Sequence, residues 1–198
     1  MPDRIADHYE RHADAFDRAR RERFVERAWF DRFLIGVRRG GEVLDLGCGA
    51  GEPVARFLVD KGYAVTGVDA SETMLGLARI RFPRHQWLRG DMRSVSFERR
   101  FDGVLAWDSF FHLPAGDQAA TLERMAGWLA VGGMMMFNTG PAHGVAMGEQ
   151  FGDPLFHASL DPADYRAVFA RTGLAEVAFA PEDPNAGGRS VWLARKIR

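Results

Sequence analysis

The sequence predicts an α/β protein whose core is a doubly wound, seven-stranded sheet, mostly parallel, with an antiparallel final hairpin and helices ahead of it. Three observations carry this prediction. Short apolar runs of strand length alternate with amphipathic helical stretches, the pattern of successive βαβ units. The first of these runs leads directly into a glycine-rich turn and then another helical stretch. The last two runs are joined by a Pro/Gly-rich connection with no helix in it, so they pair antiparallel.

From Asp3 to Arg38 the pattern is helical, with Ile5, Tyr9, Phe16, Phe24, Val25, Trp29, Phe30, Phe33 and Leu34 as apolar points among charges, which predicts one or two helices. Trp29 reads as core. The first strand is Val43 to Leu46. After the glycine turn comes a helix with Pro53 in its first turn, Val54, Phe57 and Leu58 on one face and Gly62 as its stop. Ala64 to Val68 is the second strand. Ser71 caps the next helix, whose buried stripe is Met74, Leu75, Ala78 and Phe82 before Pro83 interrupts. Gln86 to Arg89 and Asp102 to Ala106 are the third and fourth strands. The following helix carries Leu122, Met125, Ala126 and Leu129 as far as Gly132, and Met134 to Asn138 is the fifth strand. Gly140 to Leu160 reads as the longest irregular region, and loops of that length often face a substrate or are disordered. Asp161-Pro162 opens the last helix, with Tyr165, Val168 and Phe169 inward and Gly173 at its end. Ala175 to Ala180 and Ser190 to Ala194 complete the count of seven strands.

A chain of 198 residues accommodates one such unit and is too short for a separate substrate domain, so a single domain over 1–198 is expected, with a helical cap in 1–40 and the core in 41–198. Apolar residues make up 46% and charged residues 27%, as in globular proteins, and no run approaches the roughly 18 apolar residues of a membrane span. The opening Met1-Pro2-Asp3-Arg4 lacks a signal-peptide pattern, which points to the cytoplasm. The only cysteine, Cys48, excludes an intramolecular disulfide and a multi-cysteine metal site, and no metal is expected. A net charge of -1 argues against nucleic acid as a partner. The ten arginines among the first forty residues are interleaved with Asp3, Asp7, Glu10, Asp14, Asp17, Glu22, Glu26 and Asp31, the pattern of a solvated helix face.

The sharpest local signal is Asp45-Leu46-Gly47-Cys48-Gly49-Ala50-Gly51, a strand running into alternate glycines and then a helix. Such glycines let backbone approach a ligand where a Cβ would clash. Dinucleotide-binding proteins space them G-x-G-x-x-G beneath a pyrophosphate, but position 52 here is glutamate. A carboxylate repels a pyrophosphate and suits a cationic ligand. With Val68-Asp69-Ala70-Ser71, Gly90-Asp91-Met92 and Phe101-Asp102-Gly103-Val104, the glycine segment resembles the class I S-adenosylmethionine (SAM)-dependent methyltransferases, over about residues 40–140 and with their Rossmann-like core.

The resemblance implies that SAM is the cofactor and S-adenosylhomocysteine its product. It places Gly47, Cys48, Gly49 and Gly51 around the methionine part, with Asp45 orienting the loop or meeting the ammonium through water. It places Asp69, beside Ala70, on the ribose hydroxyls, where two acceptor oxygens suit a vicinal diol. Asp91 then matches the residue that reads the adenine amino group, with Met92 and Met74 against the ring, although Met74 reads equally as helix core. Cys48 is expected to be an inert small residue. Tyr9, Ala13, Phe16 and Asp17 resemble the aromatic helix that some small-molecule methyltransferases fold over SAM, the alternative being a helix packed on the sheet edge.

Ligands in doubly wound sheets lie beyond the carboxyl ends of strands, so the segment Ala106 to Pro114, with Trp107 bordering the cofactor, is expected beside the methyl acceptor. The Asn/Asp-Pro-Pro-aromatic motif of base-methylating family members is absent there, which disfavours DNA adenine and favours a small-molecule acceptor. His112 is the first candidate for a general base and Asp108 the second; His143 and His157 in the long loop are others. Two further readings stay open: an NAD-dependent oxidoreductase, and a SAM-binding module without catalysis. The acceptor atom and the oligomeric state are not determined by these residues.

Overall fold

The computed structural model describes residues 4–198, so Asp3, where the predicted helical pattern starts, lies outside the described residues together with Met1 and Pro2. Three helices, α1 (Ile5–Arg11), α2 (Ala13–Arg21) and α3 (Arg27–Ile35), lead into β1 (Glu42–Leu46), α4 (Val54–Asp60), β2 (Ala64–Asp69), α5 (Glu72–Arg81), β3 (Gln86–Arg89) and β4 (Phe101–Ala106). There follow α6 (Ala115–Trp128), β5 (Leu129–Thr139), β6 (Gly144–Gln150), β7 (Asp153–Ser159), α7 (Pro162–Thr172), β8 (Leu174–Asp183) and β9 (Arg189–Lys196). Seven strands form one sheet in the order β3-β2-β1-β4-β5-β9-β8, with the first five parallel and β9 antiparallel to both β5 and β8. This is the expected doubly wound sheet with its antiparallel hairpin.

Both faces of the sheet are covered, and the period-two alternation of the strands sorts their side chains between two cores. Val43, Leu105, Met134 and Met136 face α3, α4 and α5 with Phe30, Phe33, Leu58 and Leu75. Leu44, Val104, Met135 and Phe137 face α6 and α7 with Leu122, Met125, Tyr165 and Val168. The predicted caps form: Ser71 Oγ accepts from the Met74 amide, Asp161 from that of Ala163, and Gly173 ends α7 at φ 69°. Pro53 stands at the cap of α4, one residue ahead of its predicted first turn.

Three departures from the sequence reading have local causes. The N-terminal region holds three helices rather than one or two, because the chain breaks at His12 and again between Arg21 and Arg27. Of these, α3 belongs to the core, with Trp29, Phe30 and Phe33 buried. Leu129, read as the last turn of a helix, instead starts β5 and pairs with Phe101. It is buried in either state, so apolar spacing cannot separate the two.

The third departure is the region Gly140 to Leu160, which is not irregular: β6 and β7 pair antiparallel as a hairpin of their own. Its two-residue turn is Phe151-Gly152, both at positive φ (53° and 82°), as a turn matched to strand twist requires. Residues of β6 are exposed on both faces, so no alternation marked it as a strand.

Gly103 of β4 lets α3 approach the sheet, since a Cβ there would stand 2.6 Å from Phe33 Cζ, a buried aromatic with nowhere to go. Gly103→Ala is expected to destabilise the protein by about 1–3 kcal/mol, the usual range for overpacking, read as a lower urea midpoint at unchanged slope.

Candidate functional site

The carboxyl ends of β1, β2 and β4 lie side by side, and the turns that leave them line one cleft of about 200 Å³. Gly47, at φ 77°, turns the chain out of β1; a Cβ there would overlap Ser109 Cβ at 2.2 Å. The Gly47 and Cys48 amides donate to Val68 O at 2.7 and 3.1 Å, and Ser109 Oγ donates to Leu46 O at 2.6 Å, which ties the three turns together.

Of the residues expected around the cofactor, Asp45, Gly47, Cys48, Gly49, Asp69, Ala70, Met74, Asp91, Met92, Trp107 and Tyr9 all line this cleft, as do His112 and Asp108. Gly51 does not. It packs beneath the loop, where a Cβ would meet Phe82 Cε2 at 2.7 Å, so its positive φ and lack of a side chain serve packing against α5. Cys48 is buried, and burial pushes its thiol well above the ordinary range, as expected of an inert residue.

Two carboxylates at the floor set the electrostatics. Burial raises Asp45 to about 7, with Asp69 adding to the effect. Asp69 accepts from the Gly49 amide at 2.8 Å and the Ser71 amide at 2.9 Å, yet burial outweighs these bonds and its pKa is raised as well. Among the described residues neither group has an ion-pair partner. Such a floor fits a ligand that brings positive charge and hydroxyl donors, and a pyrophosphate would add charge of the wrong sign. Glu52 also lines the cleft, paired with Arg56 at 3.1 Å.

Asp91 is half exposed. Burial works against its charge, but Arg93, bonded to it at 2.6 Å, prevails and holds it below the usual carboxylate range. Met92 and the fully buried Met74 complete that side.

The N-terminal helices close over the opening. Glu10 accepts from Ser71 Oγ and Thr73 Oγ1, each at 2.5 Å, and Arg81 donates to both oxygens of Asp17 at 2.5 and 2.7 Å. Ala13 packs on Ala50 and Met74, with Tyr9 and Phe16 alongside. Tyr9 Oη lies 2.9 Å from His112 Nε2.

His112 ends the short helical turn after β4. Its Nδ1 is 2.9 Å from Phe156 O, a pure acceptor, so Nδ1 carries the proton and Nε2 accepts from the Tyr9 hydroxyl. Burial lowers His112 to about 4, so the ring is neutral at physiological pH. Asp108 is engaged differently from a base awaiting a proton: Arg189 donates to both its oxygens at 2.6 and 2.7 Å and Asn138 Nδ2 to one at 2.9 Å. Burial opposes its charge, but Arg189 outweighs burial and keeps its pKa low. Asp108 is therefore an anchor for the turn, and its reading as a second base is corrected on that ground. His143 is exposed and lines no cleft, whereas His157 borders a second cavity under β6 and β7, with its ring centroid 5.1 Å from that of His112.

Sequence reasoning missed Ser109, Arg20, Glu26, Asn138 and Arg189. Glu26 is fully buried and accepts from Arg20 and, at 3.2 Å, from Trp107 Nε1. These residues are isolated polar positions scattered over the chain, with no spacing that signals their convergence.

Over residues 43–133, from β1 into β5, the sequence matches the family described as a methyltransferase domain. The putative methyltransferase YqeM of Bacillus subtilis is 35% identical over 134 residues, which cover 65% of this chain and 53% of that protein. The chain spans about half or less of the length of the curated relatives it matches. Among solved structures, a SAM-dependent methyltransferase from Clostridium acetobutylicum shares the fold at a TM-score of 0.74 and 14% identity, over 96% of this chain and 99% of that one. The amino pentose methyltransferase CalS10 of Micromonospora echinaspora, solved with SAM bound, gives 0.70 at 20% identity, over 86% and 89%. Residues 43–133 thus match a methyltransferase domain, and the chain shares its fold with solved SAM-dependent methyltransferases.

Proposed function

We propose that this chain binds SAM in the cleft at the ends of β1, β2 and β4 and transfers its methyl group to a small-molecule acceptor. The single observation that carries this reading is the pair Asp45, buried, and Asp69, half-buried, which line the cleft and, among the described residues, have no ion-pair partner. Asp69 keeps lone pairs beyond the two backbone amides it accepts and is placed to take the ribose hydroxyls. Asp45 faces the ammonium end, and Asp91, Met92 and Met74 hold the adenine. Bound SAM supplies a methyl already activated by its sulfonium, so alignment of the acceptor provides most of the acceleration.

The chain's residues then position and dry the site. Trp107, Phe16 and Tyr9 exclude water, and Asp108 with Arg189 holds the turn that carries Ser109 and His112 in place. His112, neutral, is the group that receives a proton or hydrogen bond from an acceptor hydroxyl or amine that takes the place of the Tyr9 hydroxyl at its Nε2. An oxidoreductase reading has no phosphate site here to support it. The protein is further proposed to be a single domain, with α1 and α2 as the cap over the cleft, and to act in the cytoplasm on a partner other than nucleic acid. Among the described residues no helix is long and apolar enough to cross a membrane.

Three outcomes test the proposal. SAM at 100 times its dissociation constant should add about 2.7 kcal/mol, or roughly 5–10 °C in melting temperature, with no shift from NADH and none from SAM in Asp69→Ala. A shift with NADH alone overturns the reading. Below pH about 7 Asp45 holds a proton that a cationic ligand must displace, so SAM affinity measured by calorimetry should weaken by up to about tenfold per pH unit as pH falls from 7 to 5. In Asp45→Asn this slope should flatten, with Asp69, also raised by burial, supplying what remains. His112→Ala should leave SAM affinity unchanged and slow transfer on the order of a hundredfold, the low end for general bases; equal losses in both would remove His112 from the transfer step.

A further inference from the structure

We propose that His8, His12 and Asp153 form a binding site for one divalent transition ion of the zinc type, which fastens the N-terminal helices to the β6–β7 hairpin. The absence of a cysteine set, noted from the sequence, does not bear on a site built from imidazole and carboxylate.

His8 lies in α1 and His12 four residues on, at the break before α2, a separation that puts two side chains on one face. Asp153 is the first residue of β7, brought opposite them by the Phe151-Gly152 turn. One ligand atom from each of the three lies within 4.8 Å of the others. Asp153 Oδ2 is 3.3 Å from His8 Nδ1 and 2.9 Å from His12 Nε2. Donors bound at about 2.0–2.1 Å around a tetrahedral ion stand roughly 3.3 Å apart, close to the two separations from Asp153, and the two imidazole nitrogens lie within 4.8 Å of each other. Two imidazoles and one carboxylate are the donor types zinc and its neighbours prefer, whereas magnesium and calcium take all-oxygen sets.

The hydrogen bonds point the same way. His8 Nε2 is 3.0 Å from the Gln150 amide oxygen, which can only accept, so Nε2 carries the proton of the neutral ring. Its Nδ1 then turns its lone pair toward Asp153 Oδ2 at 3.3 Å, the disposition of two ligand atoms around a shared ion. A carbonyl that receives the remote N–H is also the usual outer partner of a metal-bound histidine. His8 is only 3% exposed. Phe151 covers both imidazoles, with ring centroids 6.3 and 5.4 Å away. The other charge at the site is Arg11, 2.9 Å from Asp153 Oδ2; its side chain is 58% exposed and turns into water when an ion takes its place.

None of the three residues lines the cleft, so the ion would serve as a fastening rather than a reactant. Tyr9 adjoins His8 in the chain and reaches His112, so a bound ion would hold the cap closed over the site.

The test is calorimetric titration of the chelator-treated full chain with Zn2+ and with Mg2+, and with Co2+ followed by its visible absorption. We expect one equivalent of Zn2+, a Co2+ spectrum of low coordination number, and no Mg2+ binding. His12→Gln and Asp153→Asn, both at partly exposed positions, should each weaken Zn2+ by at least about tenfold, while His143→Gln leaves it unchanged. Melting temperatures without metal check that each variant is folded. The absence of Zn2+ binding, or binding that survives both ligand substitutions, overturns the proposal. The readout needs neither SAM nor turnover, so it stands or falls apart from the methyl-transfer reading.

Discussion

Parallel pairing of β1 with β2 on one side and β4 on the other brings Leu46, Asp69 and Ala106 to the same edge of the sheet, and everything at the site hangs from that alignment. Three chains leaving one edge compete for the same space. The turn at Gly47 resolves the competition by presenting no side chain to Ser109, and the amides of Gly47 and Cys48 close on Val68 O. The cleft is thus what remains where three strand ends diverge toward helices on opposite faces, the general place for a ligand in this class of sheet.

That geometry has an electrostatic consequence. Asp45, buried, and Asp69, half-buried, occupy neighbouring strands, yet among the described residues neither has an ion-pair partner. Elsewhere buried or half-buried carboxylates are matched: Asp17 with Arg81, Glu26 with Arg20, and the half-buried Asp108 with Arg189. The contrast separates carboxylates paired within the fold from carboxylates that line the cleft without an ion-pair partner. It also explains why Asp108, at a promising sequence position, is chemically committed.

Closure over the cleft rests on polar contacts from elements distant in sequence. Glu10 reaches the start of α5, Asp17 its end, Tyr9 the turn after β4, and His8 and His12 the hairpin. Ala13, Tyr9 and Phe16 add an apolar patch against Ala50 and Met74, so both polar and apolar contacts hold the N-terminal helices in place.

The order of elements was legible in the amino-acid sequence because both core faces are apolar and strand and helix periods differ: Val43 to Leu46, the Ser71 cap, the Gly173 stop and the paired final strands all follow from local residues. Asp69, which ends β2, and Asp91, two residues beyond β3, were legible through the resemblance of their short motifs to a known family. The β6–β7 hairpin was not, because a strand exposed on both faces has no alternation to read, nor was the start of β5 at Leu129, which is buried as helix or strand alike. The partners of Asp108, the buried Glu26 and the meeting of His8 and His12 with Asp153 were decided only by tertiary structure. They join residues up to 145 positions apart, and a long-range polar contact leaves no periodic trace in the chain that makes it.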